Sequence, residues 1–280
     1  MGKGEPVTKS GEGRDDAGIA LRLTEEPWYL LQGDELEIAR VAHARGMPLL
    51  LKGPTGCGKT RFMLRLAWEL GLPIVTVSCH DDLSTGDLVG RYLIKGGDAI
   101  WVDGPLTTAV RAGAICYLDE VVEARKDTIV VIHPLADERR ELPLEKRGEL
   151  LRAPPAFMLA ASFNPGYQSV LKDLKASTRQ RFVALEFRFP PRELEERIVA
   201  HESGIDADAA RLLVRLGAMT RSLKDSGLTE GASPRLLVHA GKLMAGGIAP
   251  RAACRAAVTE ALTDDAELQA AIDELAASLF

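Results

Sequence analysis

One eight-residue segment constrains the fold of this chain more than any other feature. Residues 53–60, Gly-Pro-Thr-Gly-Cys-Gly-Lys-Thr, fit the pattern GxxxxGK(S/T). A strand-like apolar run, residues 47–52, precedes the segment, and apolar residues recur at helical spacing from residue 59 to 70. Because such glycines let backbone N–H groups converge on phosphate oxygens at a helix N-terminus, the pattern predicts a phosphate-binding loop in a parallel α/β sheet.

The loop predicts the residues that hold a nucleotide. Lys59 should contact the β and γ phosphates, and the Thr60 hydroxyl should bind magnesium. The alternative is a glycine-rich turn that merely begins a helix. Asn164 is the single asparagine of the chain, so no guanine-binding NKxD motif exists and ATP is favoured over GTP. The predicted nucleotide-binding residues are Gly53, Pro54, Thr55, Gly56, Cys57, Gly58, Lys59, Thr60 and Asp119.

Two further strand-like runs end in polar residues. Residues 114–118 lead into Asp119 and Glu120, where Asp119 would organise magnesium and its waters and Glu120 would polarise the attacking water. Asn164 follows the run 156–163, and its amide could orient that water or contact the γ phosphate. The alternatives are acidic capping residues after an ordinary strand and a turn-forming asparagine before proline.

The chain of 280 residues is long enough for about two domains. Residues 1–24 are predicted to form a mobile tail and residues 25–190 an α/β nucleotide-binding domain. A Pro-Pro pair at residues 190–191 marks the boundary, and residues 191–280 are predicted to be a small all-helical domain.

Two hairpins are expected within the α/β domain. Strand-like residues 92–94 and 99–102 flank a turn with two glycines, and residues 139–144 and 149–152 flank a charged turn.

Composition excludes several classes of protein. The 35 basic and 40 acidic residues give a net charge of -5, which argues against a dedicated nucleic-acid or anionic-membrane surface. No clean apolar span predicts a transmembrane helix, and the N-terminus lacks the apolar core of a signal peptide. The four cysteines lack paired metal or disulfide spacing, which favours the cytoplasm. His80 with Asp81 and Asp82 lacks a second ligand pair, so capping is favoured over metal binding there.

Several further segments complete a recognisable pattern. They are Cys79-His80-Asp81-Asp82-Leu83, Asp87-Leu88-Val89-Gly90-Arg91-Tyr92, Asp103-Gly104-Pro105-Leu106, Leu118-Asp119-Glu120-Val121, Asn164-Pro165-Gly166-Tyr167-Gln168, Ser177-Thr178-Arg179-Gln180-Arg181-Phe182 and Ser233-Pro234-Arg235. With the phosphate-binding loop they resemble an AAA+ P-loop ATPase of the MoxR group, closest to its CbbQ/NorQ branch. The resemblance covers about residues 25–205, and the helical lid resembles the family more loosely.

The resemblance implies roles for individual residues. Asn164 matches sensor 1, Arg235 matches the sensor 2 arginine, and either Arg181 or Arg179 matches an arginine finger given to a neighbouring subunit's ATP. A finger acting in trans implies an oligomer, and the family forms ring hexamers. The alternative for each arginine is a surface salt bridge.

The two hairpins match inserts of the MoxR group that face a pore or a target. Tyr92 and Trp101 could then grip a partner, or they could pack on the hairpin's own face.

The resemblance also implies partners and a target. The ATPase would work with a separate CbbO-like protein carrying a von Willebrand factor A domain, since this chain has no DxSxS motif. Resemblance to CbbQ implies Rubisco activation by release of inhibitory sugar phosphates, which we favour on general similarity. Resemblance to NorQ implies activation or maturation of nitric oxide reductase. A nucleic-acid motor and a small-molecule kinase are the weaker alternatives.

Overall fold

The computed structural model describes residues 12–14, 20–165, 174–223 and 227–280, with only the backbone for residues 12–14. Most of the predicted tail and the segment Gly166-Tyr167-Gln168 lie outside the described residues. The chain divides into two compact units, Met1–Gly53 with Gly58–Glu186 and Pro54–Cys57 with Phe187–Phe280. Among the described residues, no helix combines the length and apolarity that crossing a membrane requires.

Helices are interspersed among the strands up to the last strand. In chain order the strands are β1 (Glu12–Arg14), β2 (Leu21–Leu23), β3 (Leu49–Lys52), β4 (Ile74–Ser78), β5 (Gly90–Lys95), β6 (Asp98–Asp103), β7 (Ile115–Asp119), β8 (Glu141–Leu144), β9 (Glu149–Arg152), β10 (Met158–Phe163) and β11 (Val183–Glu186). The helices are α1 (Glu35–Ala44), α2 (Lys59–Leu70), α3 (Thr85–Val89), α4 (Pro105–Ala112), α5 (Lys126–Val130), α6 (Ala176–Arg179), α7 (Arg192–Ser203), α8 (Ala207–Ser222), α9 (Pro234–Ala245), α10 (Pro250–Cys254), α11 (Glu260–Leu262) and α12 (Ala266–Leu279).

The first unit is built on one seven-stranded sheet with the order β1-β2-β4-β7-β10-β3-β11. The five strands from β4 to β11 are parallel, while β2 runs antiparallel to β4. The predicted α/β fold with a parallel sheet is therefore confirmed. Strand β10 lies between β3 and β7, so the chain leaving β10 emerges between the ends of its two neighbours.

The parallel strands are apolar because helices cover both faces of the sheet. Every residue of β10 is buried, as are the three leucines of β3. Helix α2 presents Phe62, Met63 and Leu66 to the interior, all fully buried. This packing makes a rigid platform, and the loops at the carboxyl ends of its strands are held at fixed positions.

Both predicted hairpins are present as two-stranded antiparallel sheets, β5 with β6 and β8 with β9. In the first, Tyr92 and Trp101 are directly opposite each other, and their rings meet edge to face at 5.2 Å. The Trp101 indole donates to Asp103 at 2.5 Å. The two rings thus pack on their own hairpin, although Tyr92 is half exposed and Ile94 is 85% exposed. A role of Tyr92 and Trp101 in gripping a partner stays a prediction.

The structure differs from the predicted tail at its end. Ala20 is buried, and Leu21 of β2 is paired with Ile74 at the edge of the main sheet. A three-residue strand is too short to produce a periodic apolar pattern, so the sequence does not reveal it.

The second unit is helical from α7 to α12, as the sequence predicts. Its core is formed by buried side chains of α7, α8, α9 and α12, among them Val199, Leu213, Leu237 and Ile272. Between α10 and α11 the chain makes a π-helical turn at Arg255–Thr259.

Candidate nucleotide-binding site

The loop after β3 adopts backbone conformations that favour glycine. Gly58 precedes α2 with φ of 102°, and Gly56 has φ of 73°. Both values lie in the left-handed region, where a side chain costs about 1–2 kcal/mol. Helix α2 begins at Lys59, so its N-terminus, where the helix dipole favours negative charge, directly follows the loop.

Lys59 is buried, and its ammonium group is held by two acceptors. It donates to the Gly53 carbonyl at 2.8 Å and to Asn164 Oδ1 at 2.6 Å. The first bond joins the Lys59 amine to the first residue of its own loop. The second joins it to the residue that follows β10. The structure therefore brings the predicted phosphate-binding lysine and the predicted sensor asparagine into direct contact.

Asn164 also contacts the second predicted acid. Its Nδ2 donates to Glu120 Oε1 at 3.0 Å, so one amide connects Lys59 to Glu120. Asn164 is buried, whereas Glu120 is exposed to water at the end of β7. An exposed carboxylate fixed by a buried amide is well placed to take a proton from a water molecule.

Asp119 and Glu120 are held by residues of the strands themselves. Ser162 Oγ donates to Asp119 Oδ1 at 2.5 Å and accepts from the Glu120 N–H at 3.1 Å. The Tyr117 hydroxyl donates to the same Asp119 oxygen at 2.8 Å. Glu120 has φ of 54°, a left-handed conformation that is unfavourable for a residue other than glycine, and the bond to Ser162 fixes it there.

Ser162, Tyr117 and Cys79 also belong to this site, although the sequence patterns do not predict it. Ser162 and Tyr117 lie inside apolar strands, two residues before Asn164 and Asp119 respectively. Since side chains alternate along a strand, residues two apart share a face, and that spacing was the available signal.

Cys79 follows β4, and its N–H donates to the Asp119 carbonyl at 2.9 Å. Burial, together with the charges of Asp119 and Glu120, raises the pKa of its thiol to about 12. The thiol stays protonated at neutral pH, so it is a poor nucleophile here.

The two finger candidates lie on and just after α6. Arg179 ends this short helix and is exposed, and Arg181 donates to the Ser177 carbonyl of its own turn. His133 Nε2 is 3.1 Å from Thr178 Oγ1 on the same helix. Burial and the charges of Arg181 and Lys175 lower the pKa of His133. The choice between Arg179 and Arg181 stays open.

Arg235 lies in the first turn of α9 in the second unit, and its side chain is exposed. In the same unit, a Cβ added at Gly56 would be 2.6 Å from Ser233 Oγ and 3.2 Å from Arg235 Cβ. Glycine is therefore required at Gly56 by space as well as by conformation. The backbone of Gly56 lies against the residues that begin α9.

The start of α9 is held from α8. Arg221 donates to the Ala232 carbonyl at 2.9 Å, and the Ala232 N–H donates to Thr220 Oγ1 at 3.0 Å. The Arg221 guanidinium also makes two bonds to the Glu195 carboxylate, at 2.5 and 2.9 Å. Glu195 is 2% exposed at its side chain, so this ion pair is largely buried.

These residues fit a nucleotide with magnesium. The loop offers the Lys59 ammonium and the N-terminus of α2, which suit phosphate oxygens. Thr60 and Asp119 are oxygen donors, and magnesium in such sites completes its shell with water and phosphate oxygens. Among the described residues, no group of three His, Cys, Asp or Glu side chains is placed to hold a metal, around His80 or elsewhere.

Comparisons with known proteins agree with this geometry. A family model of the AAA domain (dynein-related subfamily) matches residues 48–182, and a model of the CbbQ/NirQ/NorQ C-terminal region matches residues 195–279. The protein NorQ of Paracoccus denitrificans (strain Pd 1222) is 58% identical, covering 91% of this chain and 94% of that protein. The protein CbbQ of Hydrogenophilus thermoluteolus is 55% identical, covering 91% and 96%. The denitrification regulatory protein NirQ of Stutzerimonas stutzeri is 56% identical, covering 88% and 90%.

Among solved structures, a RuvB variant from Thermotoga maritima matches with a TM-score of 0.53 at 19% identity, covering 88% of this chain and 71% of that one. At this identity the match concerns the fold alone, and it confirms the predicted AAA+ P-loop fold. The predicted resemblance to the CbbQ/NorQ branch is also confirmed, with NorQ as similar as CbbQ. This chain belongs to the CbbQ/NirQ/NorQ family of MoxR-type AAA+ ATPases.

Proposed function

We propose that this chain is the ATP-hydrolysing subunit of a ring-shaped homo-hexamer that remodels a protein target. It acts with a separate CbbO-like partner that carries a von Willebrand factor A domain. The observation that carries the proposal is the pair of hydrogen bonds from Lys59 through Asn164 to Glu120. They join the group that would hold phosphate oxygens to the carboxylate that would activate water, and ATP hydrolysis requires both.

Each residue of the site has a role in this proposal. Residues 53–58 and Lys59 would cradle the phosphates, and Thr60 and Asp119 would hold magnesium, Asp119 through water. When bound, the ion would neutralise charge on the phosphate oxygens. Glu120 takes the proton of the attacking water, and Asn164 fixes the direction in which that carboxylate faces.

Three arginines complete the proposal. Arg181 or Arg179 would reach the ATP of a neighbouring subunit, since a planar and permanently charged guanidinium can pair with phosphate oxygens. Arg235 would respond to nucleotide from the start of α9, where the neighbouring backbone of Gly56 belongs to the phosphate-binding loop.

Rubisco is the first target we propose, with release of inhibitory sugar phosphates as the outcome. Nitric oxide reductase is the second, and a specific observation favours it: NorQ is 58% identical and CbbQ 55% identical to this chain. Two further relatives, at 55% and 56% identity, are denitrification regulatory proteins named NirQ. We propose the cytoplasm as the location, where the four free cysteines would stay reduced.

The test is a pull-down from lysate of the source cells with the Glu120→Gln chain in magnesium and ATP. This variant should retain ATP and release its target slowly, because the water loses its base. Mass spectrometry would identify the retained proteins. Rubisco together with a von Willebrand A-domain protein supports the first target, and nitric oxide reductase components support the second.

Lys59→Ala is the matched control, because loss of the ammonium should prevent ATP retention. A protein retained by both variants is bound independently of nucleotide. If the Glu120→Gln chain retains neither enzyme and no von Willebrand A-domain protein, the proposed remodelling function is wrong.

A further inference from the structure

Asp119 is approached by two hydroxyl groups, and both donate to the same carboxylate oxygen. Ser162 Oγ lies 2.5 Å and the Tyr117 hydroxyl 2.8 Å from Oδ1. Within the part of the chain that the structure describes, no hydrogen bond to Oδ2 is found. These two bonds therefore hold the carboxylate through one of its oxygens.

The Tyr117 hydroxyl uses its proton in the hydrogen bond to Asp119. An ionised carboxylate only accepts hydrogen bonds, so the phenol must donate its single proton to Oδ1. The ring of Tyr117 is fully buried, so packing holds its hydroxyl against Asp119.

Thr60 is the second residue of α2 and is exposed to solvent. Its hydroxyl oxygen is therefore accessible to a cation.

Both hydrogen-bonding functions of the Ser162 hydroxyl are also used. It donates its proton to Asp119, and its oxygen accepts the backbone N–H of Glu120 at 3.1 Å. One buried serine thus fixes the side chain of the first acid and the backbone of the second.

We propose that Tyr117 and Ser162 are positioning residues for magnesium, which orient Asp119 so that it offers an oxygen to the ion or its water shell. The inference rests on the proposed ATP site and adds the residues that set its magnesium affinity. Neither residue belongs to the phosphate-binding loop. Partners that orient a metal ligand typically change metal affinity 10- to 100-fold when they are removed.

The test compares ATP binding in excess magnesium with ATP binding in EDTA by calorimetry, without turnover. Tyr117→Phe removes one oxygen and leaves the buried ring. We expect it to lose about tenfold or more in ATP affinity with magnesium and to keep the parent affinity in EDTA. Ser162→Ala should show the same selective loss, and it serves as the second variant if Tyr117→Phe does not fold.

Ser203→Ala is the matched control. It also removes a buried serine hydroxyl, one that bonds to the Val199 carbonyl within α7, and it should leave both affinities unchanged. Equal losses with and without magnesium, or no loss, in the folded variants would overturn the inference while ATP binding by the parent chain stands. Absence of ATP binding by the parent chain under both conditions would instead reject the proposed site itself.

Discussion

At the carboxyl edge of the sheet, the positions of Lys59, Asp119 and Asn164 are set by paired strands. In the second unit, Arg235 lies in the first turn of α9, and an ion pair holds the start of this helix. The ladders of β3, β10 and β7 fix the strand ends through backbone hydrogen bonds that do not depend on side chains. The start of α9 depends on the Arg221 side chain, which joins the Ala232 carbonyl to the Glu195 carboxylate.

The comparison distinguishes residues whose substitution changes catalysis from residues whose substitution changes stability. At the sheet edge, a side chain such as Glu120 is exposed and can be changed without disturbing the core. In the second unit, removing Arg221 leaves a carboxylate buried without its partner, which is costly. Substitutions at the sheet edge should therefore alter chemistry, and substitutions behind α9 should alter folding.

The largest expected effect is on the rate of ATP hydrolysis by Glu120→Gln. The amide cannot accept a proton from water, so turnover should fall by about 10²- to 10⁴-fold. The thermal midpoint should stay close to that of the parent chain, because the side chain is exposed. Steady-state phosphate release and calorimetric unfolding measure the two quantities. Glu123→Gln, three residues further on, is the control, and turnover near the parent rate in Glu120→Gln would contradict the assigned role.

The next effect is on stability, in Arg221→Met. Breaking a buried ion pair on one side costs about 3–5 kcal/mol of unfolding free energy. Amide hydrogen exchange of α7, α8 and α9 should report the loss, while exchange in the strands of the first unit stays slow. Replacing both partners, as in Arg221→Met with Glu195→Leu, should recover most of the loss. A single-variant loss below about 1 kcal/mol would show that the pair behaves like an exposed salt bridge.

The sheet edge was largely predictable from the sequence for a physical reason. Apolar runs that end in a glycine loop, in Asp119-Glu120 or in Asn164 identify strand ends, and parallel strands bring those ends to one edge. The linkage through Asn164 was not predictable, because it depends on β10 lying between β3 and β7, and strand order is not written in local patterns.

The ion pair between Arg221 and Glu195 shows a different limit of prediction from sequence. Arg221 and Glu195 are 26 residues apart, and each is a charged residue on a helix, which normally indicates a solvated face. Tertiary packing decides that they meet in the interior. Likewise Ser162 and Tyr117 lie in apolar runs that predict only buried strands, although their hydroxyls hold Asp119 and, for Ser162, the backbone of Glu120.

A smaller effect distinguishes backbone strain from steric contact at two glycines, Gly56 and Gly71. Gly56 and Gly71 both have positive φ, 73° and 65°, but an added Cβ at Gly71 meets nothing within 4 Å. Gly71→Ala should cost about 1–2 kcal/mol of unfolding free energy from backbone strain alone. Gly56→Ala should cost more than that, because its Cβ meets Ser233, and it should also weaken ATP binding. Equal unfolding free energies for the two variants in urea would show that the contact with Ser233 relaxes freely.

The smallest expected effect is a pH dependence carried by His133. Burial, then the charges of Arg181 and Lys175, lower its pKa in the folded chain, while Asp137 opposes them. The unfolded chain has an ordinary histidine pKa of about 6.5, so below that pH it binds a proton that the folded chain does not. The contribution of His133 to stability is therefore complete above about pH 6.5 and is lost as the pH falls toward its folded pKa.

His133→Gln cannot titrate yet can still hydrogen-bond Thr178. Urea unfolding of this variant at a series of pH values should show a shallower fall of the unfolding free energy toward low pH than the parent chain shows. His239→Gln, on the exposed side of α9, should retain the parent slope, and a parent slope in His133→Gln would assign the pH dependence to other groups.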